Sequence, residues 1–149
     1  MWRSKRWIVF VLVIAGLNLL ACQRDTGIHH KVEPVHVEQI QGSEFSLVTL
    51  TEKAMERLDI KTAPVREVLI RHSKETNRIV VPYSSVIYGP HGQTWVYTST
   101  EPRTFVRHQI NVDFIEGEMV VLDDGPPVGT VIATVGAAEL YGAEFGLGH

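Results

Sequence analysis

The chain has 149 residues, with 14 Lys+Arg against 17 Asp+Glu and 44% hydrophobic side chains. That composition fits one globular domain and provides no basic face of the kind that nucleic-acid binding requires. A single cysteine, Cys22, rules out an intramolecular disulfide framework.

Trp2-Arg3-Ser4-Lys5-Arg6 is a positive flank, and Trp7 to Leu20 is an apolar run broken only by Gly16 and Asn18. A positive flank, a short apolar core and a small residue before a cut form the pattern of a secretory signal peptide. The run is too short and too interrupted for a comfortable transmembrane helix of about 20 apolar residues. It ends in Leu19-Leu20-Ala21-Cys22, which resembles the lipobox of bacterial lipoproteins. The resemblance implies that residues 1–21 are removed and that the Cys22 thiol carries the lipid anchor. A thiolate is the side chain best suited to form that thioether. Buried lipid methylenes contribute about 0.8 kcal/mol each, so two chains hold where one does not. The expected partner through Cys22 is therefore the lipid bilayer, and the expected location is the cell envelope, facing the periplasm or extracytoplasmic side. Removing Arg3, Lys5 and Arg6 leaves 11 of the 14 basic residues against 17 acids, which argues against a polybasic membrane patch.

Residues 22–44 read as a flexible tether. They are polar, with scattered valines and no sustained period, so they bury too little to offset their ordering entropy. Val35, Val37 and Ile40 leave open a short added strand. The folded domain is expected over 45–149. Phe45 to Val48 reads as a strand. Thr51 is a predicted N-cap, with Glu52 in the first turn and Leu50 packing on Met55 as a staple. That helix is expected to end near Asp59, and Val65 to Ile70 is a further strand.

After the polar stretch Arg71 to Arg78, Ile79-Val80-Val81 runs to Pro82 as a strand. Val86-Ile87-Tyr88 and Thr94 to Thr98 form a predicted hairpin around Gly89-Pro90-His91-Gly92, whose Pro and terminal Gly suit a type I turn. Val106, His108, Ile110 and Val112 alternate along the next strand. Gly117 marks a tight reversal before Met119 to Leu122. Asp123 to Gly129 is a loop stiffened by Pro126 and Pro127, and Thr130 to Val135 is the last strand. Gly142 to Gly148 reads as a flexible tail. The expected fold is mainly β: a small antiparallel sandwich or barrel-like domain with one short helix and roughly seven strands.

Val81-Pro82-Tyr83-Ser84-Ser85-Val86-Ile87-Tyr88, Gly92 to Thr98, Phe105-Val106-Arg107, Gly125-Pro126-Pro127-Val128-Gly129-Thr130 and Val135 to Leu140 resemble the C-terminal part of periplasmic adaptors, the membrane fusion proteins of efflux pumps. Leu50 to Ala54 and Arg57 to Val65 resemble the opening segment of the same membrane-proximal domain. The resemblance implies a β domain that rests on an inner-membrane efflux transporter. Between these halves a full adaptor inserts a β-barrel, a lipoyl-like domain and a helical hairpin. Here Arg71 to Arg78 joins them, and eight residues reach at most about 3.3–3.6 Å each. The implied function is a lipid-anchored, adaptor-like binding module lacking the conduit-forming parts. A stand-alone ligand- or metal-binding envelope lipoprotein and a truncated adaptor remnant remain the alternatives.

The residues singled out for partner contact are Gly89, Pro90, His91 and Gly92 in one turn and Gly125, Pro126 and Pro127 in the other loop. Trp95, Tyr97 and Tyr88 read as hairpin packing or, alternatively, as an exposed aromatic contact. No catalytic constellation is visible: Ser84-Ser85 has no nucleophile-elbow context, so no enzyme activity is expected. No cofactor or metal is expected either. His29, His30, His36, His72, His91, His108 and His149 lack ligand spacing, and Asp123-Asp124 lacks the further oxygens of a calcium loop.

Overall fold

Short apolar runs separated by Gly and Pro turns produce the mainly β structure that the sequence predicts. The computed structural model describes residues 33–71 and 75–146, all of them within the unit Glu33–His149. Cys22, the signal-peptide segment and residues 22–32 of the tether lie outside the described residues. The strands are β1 (Val35–Gln39), β2 (Ser46–Leu50), β3 (Lys61–Pro64), β4 (Arg66–Arg71), β5 (Glu75–Pro82), β6 (Ile87–Tyr88), β7 (Thr94–Glu101), β8 (Thr104–Glu116), β9 (Met119–Asp124) and β10 (Val131–Val135). Helices α1 (Glu52–Arg57) and α2 (Ala137–Glu144) and a 3₁₀ turn at Tyr83–Ser85 complete the described elements. All pairings are antiparallel. The sheet curls into a half-barrel in the order β3-β10-β7-β8-β9-β5-β4, with β2 and β1 continuing from β8 and β6 flanking β7.

β8 sets the curl. Its first half pairs with β7 and β2, from Thr104↔Thr49 to Ile110↔Thr94. Its second half pairs with β9, from Asn111↔Asp124 to Glu116↔Met119, with register shifts between Asn111 and Phe114. A bulged strand bends and twists more strongly, which lets one strand turn a sheet corner. On the outer side of that corner Arg78 reaches from β5 to Asp113 (2.8 Å) and Asp123 (2.8 Å) and donates to the Leu122 carbonyl.

β7 is buried on both faces. Trp95 and Tyr97 point one way and Val96 and Thr98 the other, all four buried. The Tyr97 side joins Val48, Leu50, Ala54, Phe105, Ala133, Ala137 and Leu140 under the two helices. The Val96 side joins Val65, Val81, Val86, Ile110, Val120, Leu122 and Ile132 inside the half-barrel. A smaller cluster of Ile70, Val80 and Val121 lies on the far face of β4, β5 and β9. At about 25 cal/mol per Å² of apolar surface, these clusters supply the main favourable term.

α1 begins as predicted: Thr51 Oγ1 accepts from the Ala54 N–H at 3.2 Å, and Asp59 at φ +49° ends the turn after it. Leu50 and Met55 share one core cluster. Three segments differ from the sequence expectation. Val35–Gln39, within the expected tether, forms the added strand that its valines left open and pairs with β2 from Val35↔Leu50 to Gln39↔Ser46. The polar stretch Arg71 to Arg78 belongs in part to a strand, because Glu75 to Arg78 pairs with β4 to make a hairpin. The expected glycine-rich tail is helix α2 as far as Glu144. α2 is eight residues long and holds Gly142. It is too short to persist alone, so packing, which local sequence does not display, decides it.

Gly136, at the start of α2, packs against the segment that follows α1. Its φ is +81°, and an added Cβ would overlap Ile60 Cδ1 and lie 3.3 Å from the Leu58 carbonyl oxygen. Gly136→Ala therefore adds left-handed strain to overpacking and is expected to cost about 2–4 kcal/mol. A urea melt reads this as a lower midpoint with an unchanged slope; a midpoint matching wild type would show that α2 does not dock there.

Candidate functional site

The two loops predicted for partner contact are brought to one end of the sheet by β8. Ile110 pairs with Thr94, directly after the β6–β7 turn, and Asn111 pairs with Asp124, directly before the β9–β10 loop. The loops thus leave the sheet on either side of consecutive β8 residues.

The β6–β7 turn is closed by its own backbone. Gly92 N–H donates to the Gly89 carbonyl at 3.1 Å, and Gly89 N–H donates to the Gln93 carbonyl at 2.8 Å. Gly92 has φ +84°, with open space where a side chain would be. A Cβ on Gly89 would lie 3.0 Å from Gln93 Oε1 and 3.1 Å from Trp95 Nε1, so Gly89 allows a close approach. Pro90 and His91, at the tip, are exposed.

The second loop divides. Gly125 packs inward, where a Cβ would lie 2.8 Å from Leu122 Cδ1 and 3.3 Å from Ile110 Cγ2. Pro126 is buried. These two residues seat the loop on the core, and a partner would instead meet Pro127, Val128 and Gly129, which are exposed. The loop is pinned at its far end: Gly129 N–H donates to the Val65 carbonyl at 2.9 Å, and Val65 N–H donates to the Thr130 carbonyl at 2.8 Å.

The aromatic residues separate in the same way. Trp95 and Tyr97 are core residues, 6% and 0% exposed, whereas Tyr88 is 53% exposed beside the turn. Tyr83, which sequence reasoning did not single out, is 48% exposed. Burial and the neighbouring Tyr83 phenol both raise the Tyr88 phenol above its ordinary range. Both are exposed amphipathic rings, a side-chain type enriched where proteins meet. Tyr83 opens a 3₁₀ turn directly after Pro82, with Ser85 buried and Ser84 outside. Ser84 Oγ donates to the Thr134 carbonyl at 2.7 Å, and Ser85 Oγ donates to the Pro82 carbonyl at 2.5 Å. Both hydroxyls thus serve the turn.

His36, His91 and His108 are exposed and lie on β1, the β6–β7 turn and β8. Among the described residues no group of three or more His, Cys, Asp or Glu is gathered to hold a metal ion.

One charged constellation lies inside the domain and was not legible in the sequence. Arg107 Nε donates to both carboxylate oxygens of Glu144, at 3.0 and 2.8 Å, and the Tyr97 hydroxyl donates to Glu144 Oε2 at 2.6 Å. The Arg107 and Glu144 side chains are only 9% and 2% exposed. The guanidinium carbon lies 4.8 Å from the Trp95 ring centre, 5.0 Å from Phe145 and 5.5 Å from Phe45. Both Glu144 carboxylate oxygens and Arg107 Nε are hydrogen-bonded and the rings close around the guanidinium, so the group acts as a latch for α2. Burial first, then the hydrogen bond to Glu144 and its charge, hold the Tyr97 phenol far above its usual range, with Arg107 opposing.

Two outcomes follow. Glu144→Gln leaves a buried guanidinium without its carboxylate and is expected to cost about 3–5 kcal/mol, whereas Tyr97→Phe removes one charge-assisted bond at about 1.5–3 kcal/mol. Hydrogen exchange should show α2 amides losing protection first in Glu144→Gln. Tyr97 ionises near pH 10 when unfolded but stays neutral when folded. Its share of stability is thus intact below about pH 10 and falls above it by up to about 1.4 kcal/mol per pH unit. Urea melts at neutral and alkaline pH should show a shallower alkaline loss in Tyr97→Phe than in wild type; equal slopes would exclude Tyr97 as the titrating group.

Comparison with protein-family models, with curated proteins and with solved structures finds no match for this chain.

Proposed function

We propose that this protein is a lipid-anchored binding module of the cell envelope that docks on an inner-membrane efflux transporter without building a conduit. The observation that carries the reading is the way the two adaptor-like segments close on each other. β3, from the opening segment, pairs with β10, from the end of the second segment, from Val131↔Pro64 to Val135↔Lys61. Between them β4 and β5 are paired along their length, from Arg66↔Val80 to Arg71↔Glu75. The place where a full adaptor departs into its inserted domains is therefore a hairpin, and the core is continuous without them. Nothing in this hairpin can reach a channel, since a helix pair spanning the periplasm needs tens of residues at about 1.5 Å each.

The reading assigns docking to the turn at Gly89–Gly92, the exposed tip Pro127–Gly129 and the tyrosines Tyr83 and Tyr88. Such a patch offers rigid aromatic contact area with polar ends, at low entropic cost. The pinned backbones of both loops keep that cost low as well. The lipid on Cys22 would hold the module at a membrane, turning a weak contact into a local one.

A photo-crosslinker placed at position 90 or 127 of the membrane-bound chain is expected to capture a transport protein of the inner membrane, identified by mass spectrometry. Tyr88→Ala with Tyr83→Ala should reduce capture about tenfold or more. Efflux should not be restored in a strain lacking its own adaptor, and restoration would refute the absence of a conduit. A folded, abundant module that captures no transporter would remove the docking claim. For the anchor, a fatty-acid probe should label wild type and not Cys22→Ser, and equal membrane retention of both without label would remove the lipoprotein claim.

A further inference from the structure

β4 is the last strand in the sheet order, and among the described residues only β5 pairs with it. Its six residues include no proline or glycine and its register with β5 is unbroken, while three of them, Arg66, Glu67 and Arg71, are charged. The other end of the order, β3, has four residues and finishes in Pro64. Unpaired edge N–H and C=O groups are a template for another strand. Leu69 is 46% exposed on β4, far above what its apolar side chain favours.

We propose that β4 pairs with β4 of a second copy of this chain, antiparallel, with Leu69 on the two-fold axis. The occupant is chosen by charge complementarity. Side chains alternate along a strand, so Glu67, Leu69 and Arg71 share one face and Val68 and Ile70 the other. A two-fold axis perpendicular to the sheet keeps each face on its own side and places one residue opposite its own copy. With Leu69 on the axis, Glu67 lies opposite Arg71 of the second copy, twice by symmetry, and Val68 lies opposite Ile70. Opposite charges and apolar pairs across strands each contribute. With Val68 on the axis, Glu67 meets Leu69 and Arg66 meets Ile70. With Ile70 on the axis, Leu69 meets Arg71. Of these three registers only the Leu69-centred one sets Glu67 against Arg71 and Val68 against Ile70, with Arg66 lying beyond these pairs. It also extends the cluster of Ile70, Val80 and Val121, with Val68 and Phe114 packed against it, across the interface. The product is a sheet continuous through both copies, and the interface is isologous.

A six-residue strand pair buries less than a standard interface, so association is weak, with a dissociation constant of about 100 µM expected in free solution. The test uses the full chain in density-matched detergent under reducing conditions. Sedimentation from about 10 to 500 µM should show a reversible monomer–dimer equilibrium. Glu67→Arg sets like charges against each other at both ends and should weaken the dimer tenfold or more. Adding Arg71→Glu to Glu67→Arg restores opposite charges in reversed order and should recover most of the association. In a full chain carrying Cys22→Ser, Leu69→Cys should form an intermolecular disulfide rapidly on oxidation. Asn77→Cys, the cross-strand neighbour of Leu69 on β5, should not, because its two copies would stand about three strand spacings of 4.8 Å apart. A wild-type chain that stays monomeric throughout, a Glu67→Arg dimer as strong as wild type, a double variant that recovers nothing, or equal crosslinking at 69 and 77 would each overturn the proposal.

Discussion

A positive and a negative charge, both almost completely removed from water, fix the last helix to the sheet. Glu144 closes α2, and a carboxylate at a helix C-terminus opposes the helix dipole. It stands there because Arg107 on β8 reaches it and Tyr97 on β7 donates to the same oxygen. Removing two charges from water costs several kcal/mol per ion, so the pair is not itself a large net source of stability. What it supplies is register. Glu144 has one place where its lone pairs are met, and Arg107 has one collar, Trp95, Phe45 and Phe145, that receives its flat face. With α2 held there, Leu140 and Ala137 cover Tyr97, Phe105 and Ala133. Without it that side of β7 would face solvent, and the double burial of the central strand would fail.

β8 carries that latch and the sheet corner together. Arg107 lies in the half that pairs with β7, and the bulges follow within a few residues at Asn111 to Phe114. The geometry that orients the buried ion pair is therefore continuous with the geometry that aims the two surface loops. Ile110 lies between them, buried at 1% exposure and in reach of Gly125. A change in packing at Ile110 would move both loops together, which makes their relative position a property of the core.

Much of this was legible in the sequence because it is local. Turns with Gly and Pro, the Thr51 cap and the apolar run Met119 to Leu122 depend on neighbours in the chain, and their elements form where predicted. The misses share a different cause. Val35–Gln39 has a single half-buried residue, Val35, and exposed ones after it, so its burial pattern carries no strand signal; it is a strand because the β2 edge is beside it. α2 contains Gly142 and follows Gly136, which argue locally against a helix, yet Leu140 has a core to enter and Glu144 has Arg107. In the candidate surface, composition identified the loops but not which of their residues face out. Gly125 turns inward because Leu122 and Ile110 lie beside it, a contact no spacing reveals, and Pro126 next to it is buried.

The chain thus separates its two unsatisfied features by chemistry. The loop end offers aromatic and proline surface whose backbone groups are already paired, as at Gly89, Gly92 and Gly129, so a partner there must be recognised by side-chain contact. The β4 edge is the reverse: half of its side chains are charged, and what it leaves open is backbone. A partner recognised through side chains is selected by shape and can differ in sequence from this chain, whereas a strand edge is selective only through the residues that flank it. On β4 those residues, Glu67 and Arg71, have opposite signs four positions apart, on one face. An antiparallel copy of the strand sets these opposite charges against each other. A parallel copy in register would set Glu67 against Glu67 and Arg71 against Arg71. The edge that would otherwise invite indiscriminate pairing is in this way restricted to one direction and one register.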